Sequence, residues 1–281
     1  MLHSCNFQNA ELWPADALAQ FSAAYPAQPA LFSHSLAGHP LLDRAMLAEA
    51  AALLPASHVE WRKAGDGAGF FLTMPDVETL KSLFAGKVHG ASWLMLRGME
   101  ELPDYRALID EILAPVAHVS AAQTGTLHQP RAFLFLSTAG AITPFHFDPE
   151  HNILFHLDGP KSFHLFEARP PHLNDADHFR LHRTGDNLLV LPAQAEATTY
   201  QMSAGDALYV PYKWPHTVQV GDAPSLSLSI TWTSDWSLAR DAAWRGEAVL
   251  RRLGLPTPPL PDWPARTPVR SMIGKATSRF T

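Results

Sequence analysis

Three residues in the second half of the chain have the types and spacing to hold one metal ion: His146, Asp148 and His216. The first two stand in Thr143-Pro-Phe-His-Phe-Asp148 at the end of an expected strand, where residues two apart share a face. One imidazole nitrogen and one carboxylate oxygen then point to a common centre. Alone, a His-x-Asp triplet is a weak signal that occurs by chance in many chains, and a loop histidine beside an aspartate is its commoner reading. The third residue closes the stretch from Gly205 to His216, in which Gly205 and Asp206 form a turn, Ala207 to Val210 a strand, and Pro211 a bend that returns an imidazole to the same place. Two histidines and one carboxylate on one face of an octahedron leave three positions open, an arrangement suited to iron(II) and O2. Packing on Trp214 is the other reading of His216.

Lys161 lies fifteen residues after His146 and follows an Asp158-Gly159 turn signal. If Asn152 to Leu157 and Lys161 to Glu167 pair as a hairpin, Lys161 projects into a barrel from the strand next to the metal ligands. A buried cation needs an anionic partner, whereas a solvated lysine beside a turn needs none. With these residues in place, Thr143 to Phe166 and Gly205 to Trp232 resemble the cupin-like JmjC hydroxylases, the group of the asparaginyl hydroxylase of hypoxia-inducible factor and its bacterial relatives. The match covers Arg131 to Thr233.

That resemblance implies a mainly β fold, a double-stranded β-helix of cupin or jelly-roll type with flanking helices. It implies Fe(II), 2-oxoglutarate and O2 as cofactors, with iron on His146, Asp148 and His216 and no catalytic side chain beyond these ligands. Thr143 and Lys161 match residues that hold 2-oxoglutarate, and Asn152 matches a pocket asparagine. His156 stands where a glutamine is expected and Thr231 where an asparagine is, so both are candidate cofactor contacts in altered form. The implied activity is hydroxylation of a protein or peptide side chain with release of succinate and CO2. A small-molecule hydroxylase and a non-catalytic cupin-like metal or ligand sensor are the alternatives.

Seven of the fifteen histidines fall between His146 and His182. A second metal site from His172, Asp175, Asp177 and His178 is the sharp reading of that cluster; exposed polar loop side chains are the simpler one. His164 is expected outside the barrel. Trp232 and Trp236 are candidates for a substrate groove, against the commoner use of tryptophan in core packing.

Positioning these residues requires an antiparallel unit, and the short apolar or alternating runs after Arg131 supply one. Expected strands are Ala132 to Ser137, Asn152 to Leu157, Ser162 to Glu167, Ala207 to Val210 and Ser225 to Thr233. The residues from Ala168 to Asn187 read as a long surface loop able to cover a mouth. The chain divides into a helical flank over 1–120, the barrel over 121–235, and a helix with a proline-rich tail over 236–281, all one structural unit. In the flank, Pro40 opens a helix carrying Leu41 to Leu54, Thr73 and Asp76 form a capping box with Pro75 in the first turn and Gly86 at the stop, and a third helix runs from Asp104 to about Pro115. Ser92 to Leu96 reads as a strand between the last two. A final helix runs from Asp235 to Leu253 and offers an apolar stripe for a homodimer, with docking on the chain's own barrel as the other use. Six prolines from Pro256 to Pro268 make the tail extended or poorly ordered.

With 47% hydrophobic and 17% charged residues, the chain has the composition of a globular protein. A net charge of -6 disfavours nucleic acid as a partner. A single cysteine, Cys5, excludes an intrachain disulfide and a multi-thiolate zinc site. No apolar run reaches bilayer length, and the first thirteen residues lack a secretory pattern. The expectation is a cytoplasmic protein without a membrane partner, acting on a polypeptide or a small molecule.

Overall fold

The structure is a computed structural model that describes residues 12–64, 70–73, 75–87 and 90–277, so Cys5 lies outside the described residues. In chain order the first half contains α1 (Ala17–Ala24), β1 (Ala30–Ser33), α2 (Arg44–Leu53), β2 (Val59–Ala64), β3 (Phe70–Thr73), α3 (Val77–Phe84), β4 (Ser92–Arg97) and α4 (Pro103–Gln123). The barrel strands follow: β5 (Leu127–Ser137), β6 (Ile142–His146), β7 (His151–Asp158) and β8 (Lys161–Leu165). After α5 (Asp175–Thr184) come β9 (Thr198–Met202), β10 (Asp206–Val210), β11 (His216–Val220) and β12 (Ser225–Ser234), and the chain closes with α6 (Asp235–Arg252) and α7 (Pro268–Thr277).

Two antiparallel sheets face each other as a jelly-roll with flanking helices. The larger has the order β1-β10-β7-β12-β5-β4-β2-β3, the smaller β6-β11-β8-β9. Strand β12 shows why the sequence folds this way, because Ser225, Ser227, Ser229, Thr231 and Thr233 alternate with Leu226, Leu228, Ile230 and Trp232. Alternation puts each set on one face. Leu226 to Trp232 join the main core with Leu134, Leu136, Ile153 and Phe155, beneath the helices of the first half. The hydroxyl set shares the opposite face with Asn152, Leu154 and His156, its register partners on β7. There a smaller apolar cluster of Leu154, Phe163, Leu165, Met202, Leu208 and Val210 fills the space between the sheets.

Several expectations are corrected. Strands β7 and β8 form no hairpin: β7 pairs with β10 and β12, and β8 with β11 and β9. The chain crosses between sheets at Gly159, whose φ is +82° and where a Cβ would lie 2.0 Å from the Pro224 carbonyl oxygen. The described part of 1–120 is not a helical flank alone, since β4 pairs with β5 and extends the large sheet outward through β2 and β3. Pro40 opens a short 3-10 turn, and α2 is capped separately by Asp43, which accepts from the Ala45 N–H. The cap of α3 is Asp76 itself, accepting from Thr79 N–H, so Pro75 precedes the helix; the side chain of Thr73 lies outside what is described. Helix α4 runs through Pro115 because Val116 and Ser120 continue its buried stripe, and that packing outweighs one missing backbone bond.

The stretch 168–187 is not a plain loop. It holds α5, started by a reciprocal capping box between Asn174 and Asp177. The tail also ends in order, with α7 seated on α6: a Cβ at Gly274 would lie 1.8 Å from the Ala242 carbonyl oxygen, and one at Gly246 2.1 Å from that of Arg270. Between the two helices, Arg240 donates to the carbonyls of Leu260 and Pro261, and Trp236 Nε1 to that of Ala265. Helix α6 packs on α7, α5 and β12 of its own chain, with Trp236, Ala243 and Gly246 of its apolar stripe buried and Leu253 at its end exposed. Among the described residues no helix is long and apolar enough to cross a membrane.

Candidate metal centre

His146 ends β6 and His216 begins β11, and the two are register partners across the small sheet. Asp148 lies just past the end of β6, off the strand. Nε2 of His146 is 3.8 Å from Asp148 Oδ1, and Nε2 of His216 is 3.7 Å from Oδ2. One ligand atom from each residue falls within 4.8 Å of the others, the group among the described residues that could share an ion.

Hydrogen bonding fixes the tautomers. His146 Nδ1 is 2.8 Å from the Pro144 carbonyl oxygen and His216 Nδ1 is 3.0 Å from that of Trp214. A carbonyl only accepts, so each Nδ1 carries the hydrogen and each Nε2 presents a lone pair to the centre. Burial, then the neighbouring His146, lowers the His216 pKa to about 4, against the pull of Asp148. Its ring is therefore neutral and available as a ligand near neutral pH. Phe163 stacks on it at 5.0 Å.

Asp148 is held by groups that sequence reading missed. Asn187 Nδ2 donates to its Oδ1 at 3.4 Å and to the Phe147 carbonyl at 2.9 Å, and the Lys213 N–H donates to the Asp148 carbonyl at 3.0 Å. Lys213 sits at φ +61° and its ammonium meets Asp241 of α6 at 2.7 Å. Nearby, Glu150 pairs with Arg131; burial, then Asp148, raises the Glu150 pKa to about 7, with Arg131 opposing.

Deeper in the barrel, Lys161 is buried at the start of β8, and its Nζ donates to Ser227 Oγ at 2.5 Å. Among the described residues no carboxylate pairs with it. Burial lowers its pKa to about 7. Asn152 accepts from Ser229 Oγ at 2.7 Å, and His156 is buried with Nδ1 3.0 Å from Ser227 Oγ. Thr231 Oγ1 is buried and has no hydrogen-bond partner among the described residues. Thr143 is half-buried on β6, and its carbonyl accepts from Thr217. An uncompensated cation and an unused hydroxyl inside a barrel suit an incoming carboxylate.

The remaining candidates do not join this centre. His164 lies on the outer face and bonds Thr199. His178 stacks on Trp244 at 3.9 Å, Asp177 caps α5, Asp175 pairs with Arg251, and His172 packs on Phe166, so these four form no ligand set. His178 and Asp177 are buried rather than solvated. Trp232 is fully buried in the core, and Trp236 is buried against the tail.

Residues 96–236, half of the chain, match the family described as Cupin-like domain. The chain belongs to that family. As a cupin-like JmjC protein it is 34% identical over 112 residues to Jumonji C domain-containing protein 5 of Drosophila melanogaster, covering 35% of this chain and 26% of that one. It is 29% identical over 113 residues to the lysine-specific demethylase JMJ30 of Arabidopsis thaliana, covering 34% of this chain and 24% of the other. The alignments thus span about a quarter of the length of these relatives. Among solved structures, Escherichia coli YcfD superposes with a TM-score of 0.53 at 13% identity, over 93% of this chain and 66% of that one. A structure of that ribosomal oxygenase with cobalt and 2-oxoglutarate gives 0.50 at 15% identity, over 93% and 65%. At such identities the likeness is one of fold.

Proposed function

We propose that this cupin-like JmjC chain is an Fe(II)- and 2-oxoglutarate-dependent oxygenase that hydroxylates a side chain of a polypeptide. The observation that carries the reading is the pairing of two sites in one barrel: the His146, Asp148 and His216 face, and a buried Lys161 ammonium with no carboxylate beside it among the described residues. A cupin that only binds metal has no use for the second.

The residues present fit the implied groups. His146, Asp148 and His216 would hold the iron on one face and leave the rest open. Lys161 would take the distal carboxylate of 2-oxoglutarate, with Thr143, Asn152 and Thr231 beside it. When bound, iron with 2-oxoglutarate and O2 supplies the oxidation, one oxygen atom going to succinate and the other to the substrate C–H bond, with loss of CO2. The chain's own work is orientation. Asn187 and the Lys213 N–H hold Asp148 in place, and the Pro144 and Trp214 carbonyls hold the two imidazoles. A polypeptide substrate is supported by the edge of the mouth, where 187–189 runs against β6 beside His146 and leaves Leu188, Val190 and Leu191 exposed. Exposed apolar side chains in a row are a feature of macromolecular contact.

The test is succinate release from 2-oxoglutarate by anaerobically iron-loaded protein, with metal content measured in parallel. The parent retains one iron and turns over. A His146→Ala, His216→Ala double variant loses both, and full turnover in that variant would overturn the assignment.

A further inference from the structure

The buried hydrogen bonds around Lys161 have only one consistent direction. His156 Nε2 is 2.6 Å from the Gly159 carbonyl oxygen, which can only accept, so Nε2 carries the hydrogen. Burial, then Lys161, lowers the His156 pKa to about 4; the ring is neutral and Nδ1 is an acceptor. The group 3.0 Å from that nitrogen is Ser227 Oγ, whose single proton must be donated to it. The lone pairs of Ser227 then face Lys161 Nζ at 2.5 Å. A hydroxyl that donates into an acceptor is itself a better acceptor. One ammonium hydrogen is used in this way, and two remain for a ligand.

The chain is anchored from behind as well. His34 Nδ1 accepts from the Leu36 N–H at 3.0 Å, so its Nε2 donates to the His156 carbonyl, also at 3.0 Å. A glutamine at position 156 could present either end of its amide to Ser227. A histidine with Nε2 committed presents one.

We propose that Ser227 and His156 are positioning residues that fix the Lys161 ammonium in a single orientation for the distal carboxylate of the dicarboxylic co-substrate. The inference rests on the oxygenase reading above. Neither residue needs to touch the ligand: the Ser227 proton is spent on His156, and His156 is spent on Ser227 and Gly159.

The experiment is anaerobic calorimetric titration of 2-oxoglutarate, and separately of oxalate, into manganese-loaded protein. Oxalate can chelate but carries nothing that reaches Lys161. In Ser227→Ala and in His156→Leu, affinity for 2-oxoglutarate falls about tenfold, the scale of one lost hydrogen bond, while manganese and oxalate binding stay at parental values. The double variant is little worse than either single one because both break the same chain, and Ser227→Thr, which keeps the hydroxyl, restores most of the affinity. Parental 2-oxoglutarate affinity in Ser227→Ala, or an equal loss for oxalate, overturns the positioning role alone. A parent that binds oxalate but not 2-oxoglutarate overturns the co-substrate reading and this inference with it.

Discussion

Two lysines are buried among the described residues, Lys161 and Lys213, and they differ in what lies at the end of the side chain. Lys213 brings its counter-ion with it: Asp241 is 2.7 Å away and also accepts from Tyr212 Oη at 2.6 Å, with His182 at 3.6 Å. Burial alone would raise the Asp241 carboxyl, but Lys213 and His182 outweigh it and hold the pKa below its ordinary value. Lys161 has a hydroxyl and nothing charged among the described residues. A lysine whose work is structural is neutralised inside the fold. A lysine left with a neutral partner is stabilised further by an anion that arrives from outside, so the contrast separates a clamp from a receptor.

The largest effect expected from this contrast is at the clamp. Asp241→Ala strands the Lys213 ammonium and costs about 3 to 5 kcal/mol of stability, read by urea denaturation. Replacing both partners together, Lys213→Met with Asp241→Leu, recovers most of it, because an apolar pair has no charge to desolvate.

Lys161→Met behaves the other way. Stability is unchanged or improved, manganese binding is unchanged, and 2-oxoglutarate affinity falls by at least about a hundredfold, as expected when a buried carboxylate loses its partner. A Lys161 variant that unfolds as Asp241→Ala does would erase the distinction.

The smallest effect for a single step, about 1.4 kcal/mol per pH unit, is in the pH dependence, where the receptor lysine acts in two opposed senses. Its pKa is lowered by burial from 10.5 to about 7. Between those values the unfolded chain holds a proton that the ligand-free fold lacks, so the stability of the parent relative to Lys161→Met rises with pH across that window. Ligand binding needs the ammonium, so affinity for 2-oxoglutarate falls as pH rises through about 7. Denaturation and calorimetry at matched pH values check both slopes, and parallel slopes would contradict the reading.

Much of this was legible in the sequence. The three metal-site residues stood out through spacing and residue type, and β5, β7, β8, β10 and β12 through alternation and turn residues. What escaped was set by long-range partners. The Gly159 turn signal is the same for a hairpin and for a crossing between sheets, and close approach to Pro224 decides which. Asp241 lies on a helix well beyond Lys213 in sequence, so no local pattern joins them. Helix α5 is rich in Asp, His and Arg and buries little of its length, which hid its periodicity, although Asn174 and Asp177 spelled out its capping box. The hydroxyl face of β12 was present in the Ser-Leu-Ser-Leu-Ser alternation, and it pointed to Ser227 for a reader asking which face was polar and buried. Helix α7 was masked by the prolines that precede it.

Those prolines have a consequence of their own. The stretch from Gly254 to Thr267 is tied down at both ends, by the turn that ends α6 and by the glycine contact that seats α7, and in the middle by the bonds of Arg240 and Trp236. Holding an irregular strap against a helix costs conformational freedom for every residue fixed, on the order of 1 to 2 kcal/mol each. Proline has already surrendered most of that freedom in the unfolded chain. A strap with five prolines between its ends therefore loses less entropy on closing than a glycine- and serine-rich one of equal length, and can stay in place with few contacts.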